Sequence, residues 1–78
     1  MERNEIQSEF GARLKELRLQ RGVSQERLGQ VAGLDRTYIS SAESGRRNVT
    51  LGSIYKLATA LEVEPRDLLP PYSATQST

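Results

Sequence analysis

Arg36, Thr37, Ser40, Ser41 and Ser44 fall close together in the middle of the chain. At about 100° per residue around a helix they gather on the side opposite Ile39 and Ala42, with Arg36 near the edge in the first turn and Tyr38 and Glu43 on the flanks. Small hydroxyls with one long cation at the N-terminal end make a thin polar surface, narrow enough for a DNA major groove about 12 Å wide. A guanidinium at Arg36 can bond both acceptors of a guanine edge, and Thr37 can bond a base or touch a thymine methyl. Gln25 opens the preceding helix, where free backbone amides favour a phosphate, and Arg46 and Arg47 lie immediately beyond the polar face.

The overall charge of +1 hides this polarity. Between Arg13 and Arg47, eight basic side chains face four acidic ones, a local +4, while the remaining three basic and six acidic side chains give −3. Clustering of cations, rather than their total, is what attracts phosphates. The chain contains no histidine and no cysteine, so it lacks the usual general base near neutral pH, soft metal ligands and a thiol nucleophile. Catalysis is therefore not expected, nor is a metal or other cofactor. The charged start Met1-Glu2-Arg3-Asn4-Glu5 leads into no long apolar run, so neither a signal peptide nor a membrane span is expected. With no cysteine, a cytoplasmic location is the default expectation.

Positioning the polar face requires helices. Ile6, Phe10, Leu14 and Leu17 form an amphipathic stripe predicting a first helix over residues 7–20, with Gly22 as its terminator. Ser24 then reads as an N-cap between Val23 and Leu28, two apolar residues spaced to staple a helix entrance. The second helix, residues 25–32, is expected to bury Leu28, Val31 and Ala32 and to end at Gly33. Eleven residues after Ser24 the pattern recurs, with Asp35 as cap and Leu34 and Ile39 as staple, predicting a third helix from Arg36 to about Ser44 closed by Gly45. Two short helices separated only by Gly33, Leu34 and Asp35 make a helix-turn-helix by geometry. Thr50 caps a fourth helix, with Val49 and Ile54 as its staple and Leu51, Ile54, Leu57, Ala58 and Leu61 as its inner stripe. Pro65 can start a short fifth helix over residues 65–69, which Pro70-Pro71 then stops. No segment alternates like a half-buried strand, so the expectation is an all-α fold of five helices: one domain over residues 1–69, then a frayed tail over residues 70–78.

The run Ser24-Gln25-Glu26-Arg27-Leu28-Gly29-Gln30-Val31-Ala32-Gly33-Leu34, with Tyr38-Ile39-Ser40 and Glu43-Ser44-Gly45, resembles the lambda-repressor-like (Xre-type) helix-turn-helix family. Leu34-Asp35-Arg36-Thr37-Tyr38-Ile39-Ser40 with Arg47-Asn48 is most similar to the controller proteins of restriction-modification systems. The resemblance implies a recognition helix with Arg36, Thr37 and Ser41 nearest the bases and Tyr38 near the backbone or neighbouring bases. It implies phosphate contacts from Gln25, Ser44, Arg46, Arg47 and Asn48, and a structural ion pair between Arg18 and Glu43. It further implies a homodimer built on the fifth helix and adjoining parts of the fourth, bringing in Tyr55, Val63, Leu68 and Leu69, although a leucine in so short a helix can equally belong to the core.

A dimer also follows from two physical needs. A 78-residue chain buries only about 60% of its unfolded surface and often gains from a partner, and one bidentate base contact discriminates by only about 1–3 kcal/mol. Two modules related by a two-fold axis would read an inverted repeat with half-sites roughly 34 Å apart. Such a dimer would block or recruit RNA polymerase according to where its operator lies. The competing expectation is a protein-interaction module on the same fold, an antitoxin or a bridging factor.

Overall fold

The computed structural model describes residues 3–71, and side chains from residue 5 onward; the tail expected over residues 72–78 lies outside the described residues. The elements are α1 (Arg3–Arg21), α2 (Gln25–Ala32), α3 (Arg36–Glu43), α4 (Leu51–Leu61) and a 3-10 turn at Pro65–Leu68. No strand occurs among the described residues. The all-α expectation therefore holds, with four α-helices rather than five. The fifth element is tighter than an α-helix because its bonds run from Asp67 N–H to the Glu64 carbonyl and from Leu69 N–H to the Arg66 carbonyl, and Pro70, lacking an N–H, cannot continue it.

The local signals act as their chemistry requires. Ser24 Oγ accepts from Arg27 N–H at 3.0 Å, Asp35 Oδ1 from Thr37 N–H at 2.8 Å, and Thr50 Oγ1 from Ser53 N–H at 3.1 Å. Each bond satisfies one orphan amide of a helix start and contributes about 1 kcal/mol. Gly33 closes α2 in the left-handed region at φ 72°, which a β-carbon would penalise, and Leu34 N–H bonds back to the Gly29 carbonyl at 2.8 Å. Helix α1 begins earlier than its apolar stripe predicts, and α3 ends at Glu43 with Ser44 as its C-cap.

Phe10, Leu14 and Leu17 of α1 meet Leu28 and Ala32 of α2, Ile39 and Ala42 of α3, and Leu57, Ala58 and Leu61 of α4, with Leu68 closing the core from below. Three expected core residues are not there. Val31 is 54% exposed and Leu51 72% exposed: α2 turns Leu28, Gly29 and Ala32 inward, and α4 turns Ser53 inward in place of Leu51. Ile6, one turn before Phe10, lies past the edge of the core and is exposed. No described helix is long and apolar enough to cross a membrane.

Glu62 follows α4 with φ 59°, the one non-glycine residue with positive φ among those described. It also places a negative charge at the negative end of a helix. Its exposed carboxylate is 3.4 Å from Arg21 Nη1, a contact that contributes little in water. Glu62→Gly is therefore expected to raise stability by about 1 kcal/mol, read as an upward shift of the melting temperature; a lower melting temperature would show that the Arg21 contact outweighs the backbone strain.

Candidate nucleic-acid interface

Helix α3 is held by the two helices before it, and two glycines set how closely. A β-carbon on Gly11 would overlap the Ala42 and Glu43 carbonyl oxygens, and one on Gly29 would lie 2.5 Å from the Leu34 carbonyl. The α1 backbone can therefore approach α3, and the turn leading into α3 can lie against α2, only because these positions lack side chains. The sequence carries no signal of this, since neither glycine ends a helix. Overpacking against a backbone costs about 1–3 kcal/mol, while helix propensity returns up to about 1 kcal/mol, so Gly11→Ala is expected to lose about 2 kcal/mol in a urea titration. A stabilised variant would mean that α3 can move away freely.

The C-terminal end of α3 is fixed by a buried charge network. Glu43 Oε2 accepts from Arg18 Nε at 2.6 Å, and Glu43 Oε1 accepts from Arg18 Nη2 and from Gln25 Nε2, both at 3.1 Å. Arg18 Nη1 donates to the Val23 carbonyl at 2.8 Å. The side chains of Arg18 and Glu43 are only 9% and 4% exposed, and no buried polar side-chain atom among the described residues lacks a partner. Arg18 and Glu43 thus form the expected pair. Gln25 joins it from the start of α2, a role its position in sequence does not announce.

With Ile39 and Ala42 fully buried, Arg36 and Thr37 stand exposed, Ser40 and Ser41 half-buried, and Ser44 exposed. The side chains of Arg36 and Arg46 have no hydrogen bond or ion pair among the described residues, although the Arg46 N–H bonds the Ser41 carbonyl at 3.0 Å. The other arginines from Arg13 onward do: Arg13 bonds Glu16 and the Asp67 carbonyl, Arg21 Glu62, Arg27 Gln30, and Arg66 Glu64. Arg47 bonds Ser41 and lies over the Tyr38 ring, and Asn48 is exposed beside it. Burial pushes the Tyr38 phenol upward, but hydrogen bonding with Ser53 and Thr50 and the nearby Arg47 charge outweigh it, so its pKa lies below the ordinary 10.0.

The residues expected at a dimer surface are not gathered in one place. Leu68 is completely buried in the chain's own core and is withdrawn from that set, because it has no surface to offer. Val63 is half-buried against the same core. Leu69 is 47% exposed and lines a depression with Ile6, Val49, Ile54 and Pro70. Tyr55, 57% exposed, borders a different one with Val31, Lys56, Thr59 and Ala60.

Known proteins share this arrangement. A helix-turn-helix family model, HTH_3, matches residues 14–68. The chain is 46% identical over 67 residues to control protein C.BamHI of Bacillus amyloliquefaciens, a match spanning 85% of this chain and 83% of that protein. It is 41% identical over 66 residues to control protein C.MunI of a Mycoplasma species, spanning 83% and 89% of the two chains. The crystal structure of the restriction-modification controller protein C.AhdI from Aeromonas hydrophila superposes with a TM-score of 0.78 at 55% identity, covering 80% of this chain and 94% of that one. Agreement of the family model with nearly the whole of the four-helix core, at this level of identity, makes the chain a member of the HTH_3 helix-turn-helix family.

Proposed function

We propose that the chain is a sequence-specific regulator of transcription that binds double-stranded DNA as a homodimer on an inverted repeat, in the manner of a restriction-modification controller protein. The observation that carries this is the outward polar face of α3 headed by Arg36. An exposed arginine without a partner meets a base edge or phosphate with no internal bond to break. Relatives named as control proteins support the same reading.

In this reading α3 lies in the major groove, with Arg36 and Thr37 over base edges and Ser40 beside them. Ser44, Arg46, Arg47 and Asn48 follow the phosphate backbone, and Gln25 addresses a phosphate from the N-terminus of α2 with the donor capacity that Glu43 leaves free. Residues 1–69 form the DNA-binding unit and residues 70–78 a tail. The exposed apolar side chains Leu69 and Ile6, with Tyr55 on α4, offer a second copy the contacts from which a two-fold dimer is built. A dimer bound across a promoter excludes RNA polymerase; one bound just upstream of a promoter recruits it.

Selection of duplexes from a randomised pool tests the reading directly. Two half-sites related by inversion and separated by about one helical turn, roughly 34 Å, are expected to emerge. Failure to enrich any sequence, together with titrations showing no preference at any salt, would overturn it. Capture of a partner polypeptide in place of DNA would instead favour an antitoxin or bridging role.

A further inference from the structure

Ser41 and Tyr38 sit on the face assigned to DNA, yet in the free chain both are engaged by one side chain. Arg47 Nε donates to Ser41 Oγ at 2.7 Å, and its guanidinium carbon lies 4.3 Å from the centre of the Tyr38 ring. Ser41 Oγ in turn donates to the Tyr38 carbonyl at 3.0 Å, so its proton and an acceptor lone pair are both in use. The Tyr38 hydroxyl accepts from Thr50 N–H at 3.4 Å, which ties the ring to the start of α4. A flat ring tethered at its hydroxyl and a serine hydroxyl with its proton committed make a seat for a planar cation.

We propose that Ser41 and Tyr38 are positioning residues that act on DNA through Arg47: hydroxyl and ring fix the guanidinium in the free protein, so it meets DNA with its rotamers already chosen. The proposal rests on the DNA-binding reading above and refines it. Among the described residues Arg47 uses only Nε, leaving both Nη groups as donors for phosphate or base. Immobilising a long side chain on binding costs about 0.5–1.5 kcal/mol. An arginine held beforehand avoids that cost, whereas Arg46, with no such seat, does not.

A double-mutant cycle on duplexes selected by the wild-type chain separates this role from direct base contact. Ser41→Ala, which frees one Arg47 in each half of a two-fold complex, is expected to weaken binding roughly five- to 150-fold with the salt dependence unchanged, since the charge remains. Arg47→Ala should weaken it further and reduce the slope of log affinity against log salt by about two, one for each subunit. In the Arg47→Ala background, Ser41→Ala should then have no additional effect, and Ser41→Thr, which keeps the hydroxyl, should restore most of the loss. Without DNA, the Arg47 Nε–H is expected to exchange with water more slowly than that of Arg46, and Ser41→Ala should abolish the difference. Additive effects of the two substitutions, or equal exchange rates in the wild type, would overturn the proposal while leaving the DNA-binding reading intact. Wild-type protein that binds no duplex would overturn both.

Discussion

Replacing Glu43 by alanine is expected to remove about 3–5 kcal/mol of stability, because the change strands the Arg18 guanidinium in the interior. The attraction between two buried charges is largely offset by their desolvation. Loss of one partner leaves that desolvation uncompensated, and here Arg18 is only 9% exposed. A chain of 78 residues has a total stability on the order of 4–12 kcal/mol, so Glu43→Ala should lose between about a quarter and all of it. Glu43→Gln should do less harm, since its amide oxygen can still accept from Arg18, although Gln25 then faces a group with half the acceptor capacity. Exchanging both charges together, Arg18→Met with Glu43→Leu, should recover much of the lost stability. Denaturant titrations of the four proteins give the comparison. A loss below about 1 kcal/mol for Glu43→Ala would mean that water reaches the pair and that it behaves as a surface bridge.

Arg36→Ala is expected to have the largest effect on binding with the least on folding. The side chain is exposed and has no partner among the described residues, so its removal leaves no buried group unsatisfied. Each bidentate guanine contact discriminates by about 1–3 kcal/mol. On the two-fold site proposed above, two such contacts would be lost, about 2–6 kcal/mol in all. The loss should be confined to one base pair in each half-site, while affinity for random DNA falls only slightly. Arg46→Ala should behave differently, weakening every sequence alike and flattening the salt dependence. Competition binding with singly substituted operators, alongside thermal melts to confirm the fold, reads both outcomes. Unaltered selectivity in Arg36→Ala would remove α3 from the role of recognition helix.

Three helix starts were legible residue by residue. Ser24, Asp35 and Thr50 each accept a bond from an amide two or three positions onward, and such a bond depends on nothing outside its own turn. The outward side of α3 was equally legible, since Ile39 and Ala42 are its only apolar positions apart from the flanking Tyr38. The Arg18–Glu43 pairing was not derivable from spacing; it came from likeness to a family, and Gln25 as third member only from the tertiary structure. Val31 and Leu51 were misplaced for a related reason: a periodic stripe says which residues share a face without saying how wide the facing core is.

The amino-acid sequence by itself determined where each α-helix begins and ends to within a few residues, and that α3 carries a polar face headed by an arginine, because caps, terminators and helical periodicity act over one or two turns. Tertiary structure alone decided that α3 packs close to α1 at Gly11 and the turn close to α2 at Gly29, that Leu68 seals the core instead of facing outward, and that Arg47 lies over Tyr38. Each of these depends on a group brought near by the packing of separate elements or by a loop, and contacts of that kind leave no periodic trace along the chain.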